Sequence, residues 1–195
     1  MLQTRLHMLV VTVLLSMCLA SAVHSAEGPK PDSPKKHTVL DKYIKAIDAY
    51  QKWKSSPDKV HVLDVRTPEE YVFVGHAPMA RNIPLKVWPG EWKADEKKFD
   101  LAPNLGFVDT VKNYYKPGDV ILLMCRSGDR AAEAINALAK VGFTNAYNIV
   151  DSFEGDTVTD PDSYFDGKRV KNGWKNSGAP WTYDLDPNLI YPPPK

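Results

Sequence analysis

The sequence predicts an α/β fold, a central parallel sheet of about five strands with helices on both faces. Three features predict it. Val60–Val65 is a short, largely apolar run and Val120–Met124 a continuous apolar one, of the kind that fill buried strands. Segments with apolar residues at helical spacing alternate with those runs. Turn residues such as Pro57-Asp58 and Pro117-Gly118 separate the two kinds.

Taken in order, Leu40, Tyr43, Ile44 and Ile47 recur at helical spacing, so a helix is expected there, ended by Pro57 and Asp58 before the first buried strand. Thr67, Pro68, Glu69 and Glu70 form a helix start, with proline in the first turn and carboxylates at the positive dipole end, and a short helix should run through Val72. Ala80–Ile83, closed by Pro84, reads as a brief strand. Leu85–Leu105 has no clear period and reads as an insertion, with Trp88 and Trp92 anchoring it. Phe107, Val111 and Tyr114 space as a helix before the Lys116–Asp119 turn and the second buried strand. Ala131, Ala134, Ile135, Leu138 and Val141 then share a helical face that stops at Gly142, and Ala146–Val150 reads as a final strand. Beyond Asp151 the chain turns polar and Gly-rich, an ordered loop region pinned by Trp174 and Trp181.

The ends read differently from this body. Arg5, an apolar run from Met8 to Leu19 and the small residues Ala20, Ser21 and Ala22 have the layout of a secretory signal peptide over 1–26, with cleavage after Ala22 or Ala26. The run falls short of the roughly 20 apolar residues a membrane span needs. A Pro/Lys-rich linker over 27–38 is expected as an extended tether, the folded body over 39–185, and a C-terminal tail over 186–195. The expected mature protein is periplasmic or secreted, with no membrane attachment after cleavage. With 25 basic against 24 acidic side chains, no field exists to hold a polyanion, so nucleic acid is not an expected partner.

Either cut removes Cys18 and leaves Cys125 alone in a compartment where paired cysteines would form disulfides. An unpaired cysteine there is either reactive or simply buried, and its surroundings decide between the two. Cys125 ends a strand, and Arg126, Ser127, Gly128, Asp129 and Arg130 follow it into a helix. In open parallel sheets ligands bind beyond the carboxyl ends of strands. Consecutive backbone N–H groups curling toward a helix N-terminus form an anion cradle, and Gly128 gives the backbone freedom to curl. The cradle and the guanidiniums of Arg126 and Arg130 are expected to favour the nucleophilic thiolate near neutral pH, with Asp129 capping the helix.

This loop, Cys125-Arg126-Ser127-Gly128-Asp129-Arg130, resembles the active-site loop of rhodaneses. Leu63–Tyr71 and Gly75–Pro84 are similar to two upstream signatures of that family, and Asn172-Gly173-Trp174 with Gly178–Trp181 resembles the segment that closes such domains. The resemblance runs from about Val39 to Tyr183 in one consistent order. Ala77 and Met79 depart from the Ile and Gly usual in the second signature, and Leu85–Leu105 and Ser152–Gly173 are longer than in minimal members. The resemblance implies a rhodanese-like fold and a sulfurtransferase. Cys125 would take a sulfane sulfur from a small anionic donor such as thiosulfate, and a thiol, a cyanide-like acceptor or a protein acceptor would receive it. Arg126, Ser127, Gly128, Asp129 and Arg130 would bind the donor. The persulfide on Cys125 is the covalent intermediate, and neither metal nor organic cofactor is implied.

Two other functions remain open on sequence. A persulfide carrier serving a dedicated partner would keep the same loop. A cysteine-based phosphatase or arsenate reductase would also use an anion cradle, but such relatives usually place the arginine six positions after the cysteine, whereas Arg130 follows Cys125 by five. Asp64 and Arg66 read as an internal ion pair tying a strand end to its loop. His76 is not needed as a base where a thiolate already exists. The five histidines show no metal spacing.

Overall fold

The computed structural model describes residues 28–193; the expected signal peptide, with Cys18, lies outside the described residues. Five strands form a parallel sheet: β1 (Tyr43–Ile44), β2 (Val60–Asp64), β3 (Ala80–Asn82), β8 (Val120–Met124) and β9 (Ala146–Ile149), in the order β1-β9-β8-β2-β3. The two apolar-rich runs lie side by side in its middle, with Val60 opposite Val120 and Asp64 opposite Met124. Strand side chains alternate between faces, so one run feeds two cores. Leu63, Ile121, Leu123 and Cys125 face α3 (Phe107–Tyr114) and α4 (Asp129–Ala139), while Val60, Val62, Leu122 and Met124 face α1 (Ala46–Ser55). Among the described residues, no helix is long and apolar enough to cross a membrane.

Several elements differ from expectation. Tyr43 and Ile44 form β1 at the sheet edge, and the helix begins only at Ala46. Their burial is better satisfied by pairing with β9, Tyr43 opposite Asn148, and a four-residue coincidence of spacing cannot outweigh a ladder. The start of α1 is served from elsewhere: Asp151 accepts a hydrogen bond from Ala46 N at 2.8 Å and another from Gly173 N at 3.1 Å. Burial raises the Asp151 carboxyl above its ordinary value against the pull of those two N–H groups. α4 ends at Ala139, so Val141 lies past it and is exposed rather than on the helix face.

Neither end of the described chain hangs free. Lys36, in the short 3-10 turn Pro34–Lys36, donates to Val150 O and to Asp156, both at 2.8 Å, so this stretch of the expected tether is docked behind the loop that follows β8. At the other end Asn82 N donates to Leu189 O and Arg81 bonds Asn188 O, lining the β3 edge with chain. The insertion between β3 and α3 carries two small antiparallel pairs, β4 (Lys86–Val87) with β7 (Ala102–Pro103) and β5 (Trp92–Lys93) with β6 (Lys98–Phe99). Strands of two residues give no readable alternation, which is why the sequence showed none.

α2 (Pro68–Val74) forms as the sequence asks. Thr67 and Glu70 make a reciprocal capping box, and the helix reaches Val74, two residues beyond expectation. Asp64 and Arg66 are both fully buried and paired at 2.6 Å. Arg66 also donates to Gly75 O at 2.8 Å and lies 4.0 Å over the Phe153 ring. One ion pair therefore joins the end of β2, the end of α2 and the segment after β9. His76 stacks on Tyr71, with ring nitrogens on Tyr71 O and Asp184 O. It clasps the closing segment, as does its backbone pairing with Thr182.

Candidate active site

β8 delivers Cys125 at its carboxyl end, and α4 starts four residues later. Gly128 makes this sharp turn possible. Its φ of +110° is a region that favours glycine, and a Cβ there would lie 2.6 Å from Val150 O. With no side chain in the way, Gly128 N donates to Cys125 Sγ at 3.1 Å. Gly128 is the N-cap and Asp129 the first helical residue without a capping bond. The expected Asp129 cap is thus corrected: glycine occupies the capping position because no side chain fits there. The Asp129 carboxylate still faces the positive end of the helix.

The loop is held from behind by the residues after β9. Phe153 N donates to Cys125 O and Glu154 N to Arg126 O, each at 3.0 Å. Ser152 Oγ accepts from Cys125 N at 3.0 Å and donates to Ile149 O at 2.8 Å. A hydroxyl has one proton, and the carbonyl takes it, since Sγ is farther away at 3.8 Å. Ser152 thus fixes the cysteine backbone and leaves the sulfur to Gly128.

Cys125 is 1% exposed, yet it is not sealed in the core. It forms part of the wall of a cavity of about 500 Å³ with Arg126, Ser127, Asp129 and Arg130, and with Lys86, Lys98 and Asp100 from the insertion. A slender group reaches the sulfur; a bulky one does not. The structure therefore brings five of the six residues singled out in the sequence around one opening, with Gly128 forming the turn that joins them, and adds five from the insertion that the sequence reading passed over.

The two arginines differ. Arg130 is clamped by Glu70, with both guanidinium nitrogens 2.6 Å from the two carboxylate oxygens. Burial opposes the charge on each partner, but the two hydrogen bonds and mutual attraction outweigh it, holding the Glu70 carboxyl below and the Arg130 guanidinium above their usual values. Glu70 also accepts from Thr67 N, so one carboxylate completes the α2 capping box and fastens the first turn of α4. Arg126 is exposed and has no side-chain hydrogen bond or ion pair among the described residues.

Beside this opening lies a second cavity of about 400 Å³, which shares Phe99, Leu101, Arg126 and Arg130 with the first and adds Trp88, Thr67 and Glu69. Trp88 packs edge-on against Phe99 at 5.2 Å, and Phe99 against Trp92 at the same distance.

A buried-strand sheet of this order, with a cysteine-led loop opening a helix at its carboxyl edge, defines an α/β domain with its thiol at the edge where open parallel sheets receive ligands. The chain belongs to the rhodanese-like domain family, whose model matches residues 46–157. An uncharacterised protein of Rickettsia conorii is 33% identical over 128 residues, which cover 66% of this chain and 87% of that one. The senescence-associated protein DIN1 of Raphanus sativus is 31% identical over 91 residues, 47% of this chain and 45% of that one. In fold, the crystal structure of Rv0390 from M. tuberculosis matches with a TM-score of 0.56 at 24% identity, over 72% of this chain and 96% of that one.

Proposed function

We propose that the protein is a thiosulfate sulfurtransferase-like enzyme that moves a sulfane sulfur to a thiophilic acceptor through a persulfide on Cys125. The observation that carries this is the position of Cys125 Sγ, in an open cavity and accepting an N–H from the residue that caps a helix. The N–H and the helix N-terminus stabilise negative charge on sulfur, which favours the attacking thiolate.

The thiolate attacks the outer sulfur of thiosulfate. A new S–S bond forms to Cys125 as the old one breaks, and sulfite leaves with the electron pair. A thiol or cyanide then attacks the outer sulfur of the persulfide and restores the Cys125 thiolate, so the kinetics are ping-pong. Arg126 meets the anionic donor, and Ser127, Gly128, Asp129 and Arg130 shape and hold the loop that receives it. Neither step calls for a metal or an organic cofactor. We place the mature protein in the periplasm or outside the cell, after loss of the first 22 or 26 residues.

Incubation of the reduced protein with thiosulfate should add the mass of one sulfur atom, removable by cyanide as thiocyanate, and Cys125→Ser should abolish the gain. An unchanged intact mass after thiosulfate would overturn the reading. The same spectrum reads the mature N-terminus.

A further inference from the structure

The stretch before α1, expected as a loose tether, reaches the back of the cysteine loop. Asn148 Nδ2 donates to Lys36 O at 2.9 Å, Asn136 Nδ2 donates to His37 O at 3.3 Å, and Val39 N donates to Asn136 Oδ1 at 2.8 Å. Residues 36–39 are thereby laid against β9 and α4, and the Lys36 side chain arrives behind the turn that Gly128 makes. A Cβ on Gly128 would meet Val150 O at 2.6 Å and Lys36 Cδ at 3.1 Å.

The Lys36 ammonium bridges two ends of one segment. It donates to Val150 O and to Asp156 Oδ1, both at 2.8 Å, and only 13% of its side chain is exposed. Between those two ends lie the groups that hold the cysteine loop. Ser152 Oγ accepts from Cys125 N, Phe153 N donates to Cys125 O, and Glu154 N and Gly155 N both donate to Arg126 O. Asp156 is fixed in turn by Asn172, which accepts from Asp156 N and donates to Asp156 Oδ2. Lys36 is the one donor that Val150 O meets among the described residues. Without it, that carbonyl turns toward water or another donor, and the Val150–Asp151 peptide turns with it. Ser152 and Phe153, the next residues along, then carry the Cys125 backbone away from its place. The Asp156 carboxylate neutralises the ammonium, so the pair supplies geometry rather than net charge.

We infer that Lys36 is a positioning residue for sulfur transfer at Cys125. By tying Val150 O to Asp156 it sets residues 151–155, which fix the backbone of Cys125 and Arg126 and keep the Gly128 N–H on the sulfur. This rests on the sulfurtransferase reading of Cys125, and it makes a stretch ahead of α1 part of the site's machinery.

The test measures the rate of persulfide formation from thiosulfate on the mature chain, over a range of donor concentrations, with Tm measured alongside. Lys36→Met keeps the length of the stem and removes both hydrogen bonds. Its saturating rate should fall roughly tenfold or more, since a displacement of about 1 Å at a reacting group costs as much as about 100-fold. The thiosulfate concentration at half-saturation should stay within about twofold, because Lys36 touches no donor. Lys36→Arg, which keeps the charge and the donors, should recover the rate to within about threefold of the parent. An unchanged saturating rate in folded Lys36→Met overturns the inference, as does a loss confined to half-saturation or one that Lys36→Arg fails to recover. Exchange of the Gly128 amide hydrogen, followed by NMR, reads the same geometry with no sulfur transferred, and it should be about tenfold faster in Lys36→Met. Asp156→Asn, which weakens the other end of the tie, should move rate and exchange in the same direction and serves if Lys36→Met does not fold. A parent that forms no persulfide overturns the sulfurtransferase reading, whereas parent-like Gly128 exchange in the variants overturns the role of Lys36.

Discussion

Replacing Gly128 with alanine tests whether the shape of the loop, rather than the presence of a cysteine, makes the site. At φ +110° any side chain is strained, and the new Cβ would lie 2.6 Å from Val150 O and 3.1 Å from Lys36 Cδ. The lysine methylene can swing aside. The carbonyl cannot, since it belongs to the backbone next to β9 and also accepts the Lys36 ammonium. A strained backbone position costs about 1–3 kcal/mol, and overpacking against fixed atoms costs roughly as much again. The sum of about 2–6 kcal/mol corresponds to a fall in Tm of roughly 4–24 °C for a chain of this size. The alternative to paying that strain in full is for the loop to move, and movement carries Gly128 N away from Cys125 Sγ. Thermal unfolding followed by circular dichroism reads the first effect, and the rate of persulfide formation from thiosulfate at fixed pH reads the second. The expected variant is less stable and forms the persulfide more slowly. A Tm within about 1 °C of the parent together with an unchanged rate would show that the turn tolerates a side chain, and the argument from Gly128 would fail.

The other predictions follow from single contacts. Arg66→Ala leaves the Asp64 carboxylate fully buried without its partner, so urea unfolding should show a loss of about 3–5 kcal/mol; Asp64→Leu combined with Arg66→Met should recover most of it, and additive losses in the double variant would refute the pairing. Glu70 has a folded carboxyl below the ordinary 4.5, so its contribution to stability is complete above that pH and is lost as pH falls through the folded value. Stability profiles between about pH 2 and 5 should therefore be flatter for Glu70→Gln than for the parent. Arg126→Ala should lower kcat/KM for thiosulfate by roughly 10- to 150-fold, the value of one charge-assisted hydrogen bond, while leaving Tm unchanged, since its guanidinium makes no internal bond; a fall in stability without a kinetic effect would reverse its role.

What the sequence made legible is what local pattern controls. Val120–Met124 is apolar at every position and Val60–Asp64 at three of five, and such runs have few places to go except the middle of a sheet. The capping box of Thr67 and Glu70 is set by residues three apart, and Gly128 sits where a strand-to-helix turn needs it. The cysteine loop was readable for the same reason: every group in it lies within six residues. The groups missed act across the chain. Glu70 looked like a complete helix cap, and nothing near it in sequence shows that the same carboxylate also holds Arg130, sixty residues on. Ser152 and Asp151 sit in a polar stretch with no period, yet one holds the Cys125 backbone and the other caps α1 from beyond the end of the neighbouring strand, about a hundred residues away in sequence. Tyr43 and Ile44 were misread because a short apolar cluster has no strong period of its own, and only its partner, β9, makes it a strand. The two kinds of information divide the site between them. Local pattern places Cys125 and the N–H on its sulfur; long-range pairing decides that Arg130 is clamped while Arg126 has no partner among the described residues, and so which of two neighbouring arginines the proposed donor would meet.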